Sequence, residues 1–144
     1  MDSARPSEVV ARCRPLADAL AGDELDEMAL GVSALLQPDL DMIGTLAALD
    51  ELAGDCPTPT RDGVMRHLFE SGMFQGDRRD YHSWRNSCLD HVVRRRVGMP
   101  ISLSVLAIEV GRRLGVRLVG VGLPGHFLVG AADDSGWFAD QFHA

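Results

Sequence analysis

His126 and Asp140 are the two side chains whose types and spacing most favour catalysis. They stand 14 residues apart, and a turn-forming segment at 133–136 lies near their midpoint. A hairpin with that turn would bring an imidazole beside a carboxylate, which fixes the imidazole tautomer and raises its pKa. The spacing therefore predicts a general-base pair on two neighbouring strands. The alternative is a histidine bonded to the carboxylate for structure alone.

The attacking group for such a base is harder to find. Ser102 falls in the first turn of a predicted buried helix, where its hydroxyl either attacks a substrate or bonds to free backbone amides. Cys88 lies on a predicted apolar face and is interpreted as a core cysteine. Cys56 and Cys13 have no candidate base near them in the sequence. Asn86 either orients a backbone or substrate carbonyl or caps a helix.

Length and composition indicate an ordinary globular domain. The chain has 144 residues, of which 46% are hydrophobic and 24% charged, so we expect a single domain over 1–144. Three widely spaced cysteines predict no disulfide framework, and the histidines other than His126 show no metal-ligand spacing. No apolar run reaches the roughly 18 residues of a membrane span, and no signal peptide is evident. We therefore expect a cytoplasmic protein without metal or cofactor.

Charge restricts the function classes further. The net charge of −7 argues against nucleic-acid binding, and the absence of lysine excludes Schiff-base chemistry and a P-loop lysine. The charge is also segregated: residues 15–60 carry ten acids and no arginine, whereas 78–117 carry nine arginines and three acids. Such asymmetry indicates either a partner surface or two segments that neutralise each other within the fold.

Hydrophobic periodicity predicts helices followed by strands. The part at 1–80 is mainly helical, and the part at 81–144 combines core helices with an antiparallel sheet. The predicted helices are 7–20, 23–36, 38–53, 61–71, 87–96 and 101–114, and the predicted strands are 116–123, 127–131 and 137–142. The helix at 101–114 is apolar on nearly every face, so we expect it to be buried at the centre of an α+β fold. A bare edge on a three-stranded sheet predicts that a partner or further chain covers it.

Local signals predict the ends and the buried faces of several helices. Thr60 is predicted to cap the helix at 61–71. The residues expected to face inward on that helix are Val64, Met65, Leu68 and Phe69, and those on the apolar side of 38–53 are Ile43, Leu46, Ala47 and Leu49. Residues 72–80 are interpreted as a polar loop.

The two helices that follow are also delimited by their sequence. Ser87 and Asp90 form a capping-box pattern at the start of 87–96, and Gly98 is expected to end that helix. Pro100 stands where the next helix begins. The polar stripe of that helix consists of Ser102, Glu109, Arg112 and Arg113.

The second half of the chain resembles the transglutaminase-like superfamily. More narrowly, it resembles the bacterial branch of transglutaminase-like proteins with C-terminal tetratricopeptide-type helices. The resemblance is carried by RNS at 85–87, GMPISLS at 98–104, GVGLPGHF at 120–127 and FADQF at 138–142. The chain departs from the branch at Gln141, where proline is usual.

The resemblance implies a papain-like fold with a cysteine, histidine and aspartate triad. His126 and Asp140 fall at the histidine and aspartate positions. Counted back 15 residues from Gly115, which ends the predicted helix, the cysteine position falls on Pro100. The chain would then keep two members of the triad and lack the nucleophile. Pro100, Gly125 and Asn86 are candidate binding residues beside the predicted pair.

Three functions follow from this pattern. The first is a pseudoenzyme that lacks the usual cysteine and binds a protein, a peptide or another ligand through an inherited cleft. The second is an active hydrolase or acyl transferase that uses His126 as general base, Asp140 to orient it, and Ser102 or a water molecule as nucleophile. The third is a purely structural domain.

Overall fold

The computed structural model describes residues 25–143, which form the expected α+β fold. The predicted helix at 7–20 lies outside the described residues. The helical elements are α1 (Leu25–Leu36), α2 (Met42–Gly54), α3 (Arg61–Met65), a π-helical turn (Arg66–Glu70), a 3-10 turn (Trp84–Ser87), α4 (Leu89–Arg95) and α5 (Pro100–Arg113). The strands are β1 (Gln75–Gly76), β2 (Val97–Gly98), β3 (Leu118–Leu123), β4 (His126–Ala131) and β5 (Asp134–Ala139).

Helix α5 lies at the centre of the hydrophobic core, as predicted. Leu103, Leu106 and Val110 have no exposed surface. Helices α1 to α4 and strands β3 and β4 all contact α5. The polar stripe predicted along this helix is only partly exposed to solvent, because Ser102 and Glu109 are buried and hydrogen-bonded.

Helix α2 begins later than predicted. Asp41 caps it by accepting a hydrogen bond from the Gly44 amide at 2.9 Å, so the helix starts at residue 42 rather than at 38. Its buried face matches the expected one only in part. Leu49 is buried as predicted, but Ile43 is 83% exposed and Leu52 is buried instead.

Helix α3 confirms the predicted cap and buried stripe. The Thr60 hydroxyl accepts a hydrogen bond from the Gly63 amide at 3.1 Å. The apolar residues expected to face inward are buried; they are Val64, Met65, Leu68 and Phe69. The second half of the predicted helix widens into the π-helical turn.

The segment after α3 is not the polar loop that its sequence suggested. Phe74 and Asp77 are buried, and Gln75–Gly76 forms β1, which pairs in parallel with β2. Strand β2 follows α4 directly, because Arg96 adopts a left-handed conformation (φ 62°) and ends that helix two residues before the expected Gly98.

The start of α4 also differs from the prediction. The expected capping box of Ser87 and Asp90 does not form. Cys88 takes the N-cap position without a side-chain cap, and the Ser87 hydroxyl donates to the Met99 sulfur at 3.1 Å.

The three-stranded sheet is antiparallel in the order β3-β4-β5. A two-residue turn at Pro124 and Gly125 joins β3 to β4, and Gly125 has the positive φ (74°) that such a turn requires. Strand β5 begins at Asp134, three residues before the predicted start. An irregularity between Gly130 and Ala131 shifts the register, because these neighbours pair with Phe138 and Asp134. At the other end of β5, Ala139 is the last strand residue, so Asp140 follows the strand instead of lying within it.

The acidic and basic segments neutralise each other in part within the fold. Arg113, near the end of α5, bonds to Asp26 at 2.6 Å, to Asp50 at 2.6 Å and to Glu109 at 3.0 Å. Asp26 and Glu109 are each only 1% exposed. Burial raises the pKa of Glu109 above its usual value, and the hydrogen bond from Arg112 opposes that rise.

Candidate functional site

The candidate site begins at the N-terminus of α5. Pro100 is the first residue of the helix, a position where its missing N–H costs no hydrogen bond. The Ser102 hydroxyl accepts a hydrogen bond from the Met99 amide at 3.1 Å and lies 2.6 Å from the Asn86 carbonyl, to which it donates. Ser102 therefore caps the helix, and no hydrogen bond among residues 25–143 joins it to His126.

Asn86 is fully buried and holds the preceding loop in place. Its side-chain amide donates to the carbonyls of Asp80 at 2.8 Å and Tyr81 at 3.3 Å, and its side-chain oxygen accepts from Arg95 at 3.1 Å. Each polar atom of this side chain is thus used within the protein. Asn86 lies next to the start of α5, because its own backbone carbonyl accepts the hydrogen bond from the Ser102 hydroxyl.

Gln141 ties the sheet to the start of α5. Its side-chain nitrogen lies 2.7 Å from the Pro100 carbonyl, 2.8 Å from the Phe127 carbonyl and 2.6 Å from the Ser104 hydroxyl. The side chain is 1% exposed, and its oxygen has no hydrogen-bond partner. The Phe127 carbonyl lies beyond the last β4–β5 pair, Val129 with Ala139, so the side chain supplies a donor where the strand no longer does.

Asp140 bonds to His143, for which the sequence predicts only a surface or core position. The Asp140 carboxylate lies 2.8 Å from Nδ1 of His143 and accepts hydrogen bonds from the amides of Phe142 and His143. Partial burial opposes ionisation of Asp140, but these hydrogen bonds outweigh it and hold the pKa below its usual value. The i to i+3 spacing of the two residues is the sequence signal for this pair.

His126 lies beside this pair without a hydrogen bond to either member. Its ring centroid is 6.4 Å from that of His143, and its side chain is exposed at the first position of β4. His126 pairs across the hairpin with Leu123, on the outer face of the sheet. The structure therefore places His126, His143 and Asp140 close together. The Asp140 carboxylate contacts the His143 ring and not the His126 ring.

The two described cysteines, Cys56 and Cys88, are buried and poorly suited to act as nucleophiles. Cys88 is 1% exposed, and burial raises the pKa of its thiol. Cys56 is 8% exposed, and its thiol donates to the Thr58 carbonyl. Cys13 lies outside the described residues. A thiolate is the reactive form of cysteine, so a buried thiol with a raised pKa is a poor nucleophile.

Two further properties of the described part of the chain bear on the site. Over residues 25–143, no group of three or more histidine, cysteine or acidic side chains could hold a metal ion. The same residues contain no helix that is long and apolar enough to cross a lipid bilayer.

The fold and a family match define the class of the protein. The buried central helix and the antiparallel three-stranded sheet agree with the α+β fold expected of a transglutaminase-like domain. A comparison with protein families matches residues 20–144 to the Transglutaminase-like superfamily, and the chain belongs to that superfamily.

Relatives of the chain include bacterial and animal proteins. It is 51% identical over 73 residues to a UPF0162 protein of Xylella fastidiosa, covering 51% of this chain and 26% of that protein. It is 34% identical over 114 residues to a UPF0162 protein of Pseudomonas aeruginosa, covering 73% of this chain and 42% of that protein. It is 41% identical over 68 residues to F-box only protein 21 of Mus musculus, covering 47% of this chain and 11% of that protein. No solved structure was found to match it.

Proposed function

We propose that this transglutaminase-like domain lacks the cysteine nucleophile and acts as a binding module for a protein, a peptide or another ligand. The observation that carries the proposal is Pro100 at the first position of α5, the place that the family resemblance assigns to the cysteine. Proline has no side-chain nucleophile. We also propose that the protein belongs to the bacterial branch with C-terminal tetratricopeptide-type helices and that it is cytoplasmic.

The surroundings of Pro100 support this proposal. Gln141 bonds to the Pro100 carbonyl and is almost fully buried, so an amide fills the junction between helix and sheet. The Ser102 hydroxyl is used in the cap of α5. Neither residue offers an attacking group to His126 or His143.

An active hydrolase is the alternative, and one observation favours it. Asp140 and His143 form a carboxylate–imidazole pair at 2.8 Å, with the exposed His126 ring nearby. Such a pair could activate a water molecule as a general base. The alternative therefore depends on water, since Ser102 is engaged elsewhere.

Labelling and hydrolysis of the intact chain separate these functions. We expect a fluorophosphonate probe and a thiol-directed acyl probe to leave the wild type unlabelled. We also expect hydrolysis of p-nitrophenyl acetate at the same rate in the wild type, His126→Ala and His143→Ala. His82→Ala is the matched control, because His82 is an exposed histidine outside the site. Labelling or hydrolysis that is lost in His126→Ala or His143→Ala but kept in His82→Ala would overturn the proposal.

A further inference from the structure

A groove lies beside β1 and extends to Val97, at the start of β2. Its volume is about 670 Å³. Its lining includes Gly76, Asp77, Arg78, Arg79, Val97 and Phe142. Phe142 directly follows Gln141, so the groove adjoins the candidate site without including its histidines.

The strand at the groove has a free backbone edge. The amides of Gln75 and Asp77 donate to the carbonyls of Arg96 and Gly98, at 3.1 and 2.9 Å. Successive residues of a strand direct their N–H and C=O groups to opposite edges, so Gly76 directs its own groups away from β2. Within residues 25–143, Gly76 makes no backbone–backbone hydrogen bond outside the β1–β2 ladder. An unpaired edge of this kind can accept an extended peptide as an additional strand.

The rim of the groove is basic. The side chains of Arg78 and Arg79 are exposed and make no ion pair within the described part of the chain. Asp77 does not neutralise them: its carboxylate accepts from the amides of Arg79 and Asp80 and pairs with Arg95 at 3.3 Å. The hydrogen bond from the Asp80 amide is the main cause that holds the pKa of Asp77 below its usual value. Two arginines are therefore left to attract acidic groups, against one exposed carboxylate, Asp80.

The floor of the groove is apolar. The Phe142 ring packs directly on Gly76, where an added Cβ would collide with it. The Tyr81 ring meets Phe142 edge-on, at 5.8 Å between centroids, and keeps it in position. Val97 is half-buried at the same groove. An extended ligand would thus meet backbone groups, apolar surface and positive charge along one line.

We propose that this groove binds an extended acidic peptide, which adds to β1 as a strand and places carboxylates against Arg78 and Arg79. The inference rests on the proposed binding function and names its ligand class. Side chains on a strand alternate between two faces. The best-fitting ligand therefore alternates acidic residues with small apolar ones, so that one face meets the arginines and the other meets Phe142.

Fluorescence anisotropy with a designed probe tests the charge requirement. The probe is a fluorescein-labelled heptapeptide of alternating glutamate and valine, titrated with the intact chain at about 0.15 M salt. We expect saturable binding that weakens about tenfold in R78A/R79A. The matched control is R66A/R117A, which removes two other exposed arginines and should change affinity less than about twofold. No saturable binding below about 1 mM, or equal weakening by the two double variants, would overturn the proposal.

Backbone methylation tests the strand addition. Two further probes carry N-methyl groups on the glutamate amides or on the valine amides, which removes their backbone donors. We expect at least one of them to bind about tenfold more weakly. Equal binding of all three probes, or equally strong competition by single-stranded DNA of matched charge, would show a general polyanion surface and overturn the proposal.

The outcomes also separate this inference from the function on which it rests. A chain that fails to bind the peptide and shows no histidine-dependent labelling or hydrolysis refutes the groove proposal and leaves the non-catalytic proposal standing. Histidine-dependent labelling or hydrolysis refutes the non-catalytic proposal, whether or not the peptide binds.

Discussion

Replacing Gln141 should destabilise the fold more than any other single change at the sheet–helix junction. Its amide is 1% exposed and provides the donor to the carbonyls of Pro100 and Phe127. In Gln141→Ala, each of these two carbonyls loses the hydrogen bond from Gln141, and a cavity opens where the side chain was. Each buried acceptor that loses a partner costs about 1–2 kcal/mol, and the cavity adds about 1 kcal/mol. The expected loss is about 3–5 kcal/mol, which for a chain of this size lowers the melting temperature by about 10–15 °C.

Gln141→Leu is the comparison variant for this prediction. Leucine has a similar volume and removes the unpartnered oxygen, so only the donor is lost; we expect a cost of about 1–3 kcal/mol. Urea denaturation followed by circular dichroism measures both variants against the wild type. The order of stability should be wild type, then Gln141→Leu, then Gln141→Ala. A Gln141→Ala variant within about 0.5 kcal/mol of the wild type, or a Gln141→Leu variant more stable than the wild type, would refute this account of the junction.

Three further predictions concern charge and close packing. Arg113→Ala should cost about 2–3 kcal/mol in urea denaturation, because the buried carboxylates of Asp26 and Glu109 lose its hydrogen bonds and keep only Arg112 as a cationic partner among the described residues, and the cost should be smaller at pH 5 than at pH 8. Arg94→Ala, which loses a more exposed pair, should cost less than about 1 kcal/mol. A loss for Arg113→Ala as small as that for Arg94→Ala would contradict the buried cluster. Asp77→Asn should remove stability that is present above about pH 4 and is lost as the pH falls through the lowered pKa of Asp77. Thermal melts of the wild type and the variant should therefore converge in acid, and a constant difference would contradict this. Gly76→Ala should cost about 1–3 kcal/mol by displacing the ring packed on it, whereas Gly54→Ala, which meets open space, should cost nothing; equal melting temperatures would contradict the contact.

The elements that the sequence predicted well are those specified by local signals. Thr60 caps α3 through its hydroxyl, and Pro100 begins α5 as its fixed backbone favours. Gly115 ends that helix with a positive φ (73°). Each of these depends on the side chain or backbone of one residue and its near neighbours. Local sequence is therefore enough to predict them.

The features that the sequence did not reveal depend on contacts between distant segments. The pairing of β1 with β2 joins residues 22 positions apart, Gln75 with Val97, and gives no periodic pattern over two residues. Strand β5 ends at Ala139, which pairs with Val129, so Asp140 lies outside the strand that was expected to carry it. Gln141 departs from the family pattern in the sequence itself, but its three contacts form only when helix and sheet are assembled.

The central claim is that Pro100 occupies the position of the missing nucleophile, and the thiol pKa of Pro100→Cys tests it most directly. A cysteine at the N-terminus of α5 should have its thiolate stabilised by the helix dipole, so we expect a pKa below about 7.5 from pH-dependent alkylation. Leu36→Cys is the control, because that residue is 55% exposed and ends α1, where the dipole opposes a thiolate; its thiol should titrate at or above about 8.5. A Pro100→Cys thiol with the same pKa as Leu36→Cys would contradict the claim.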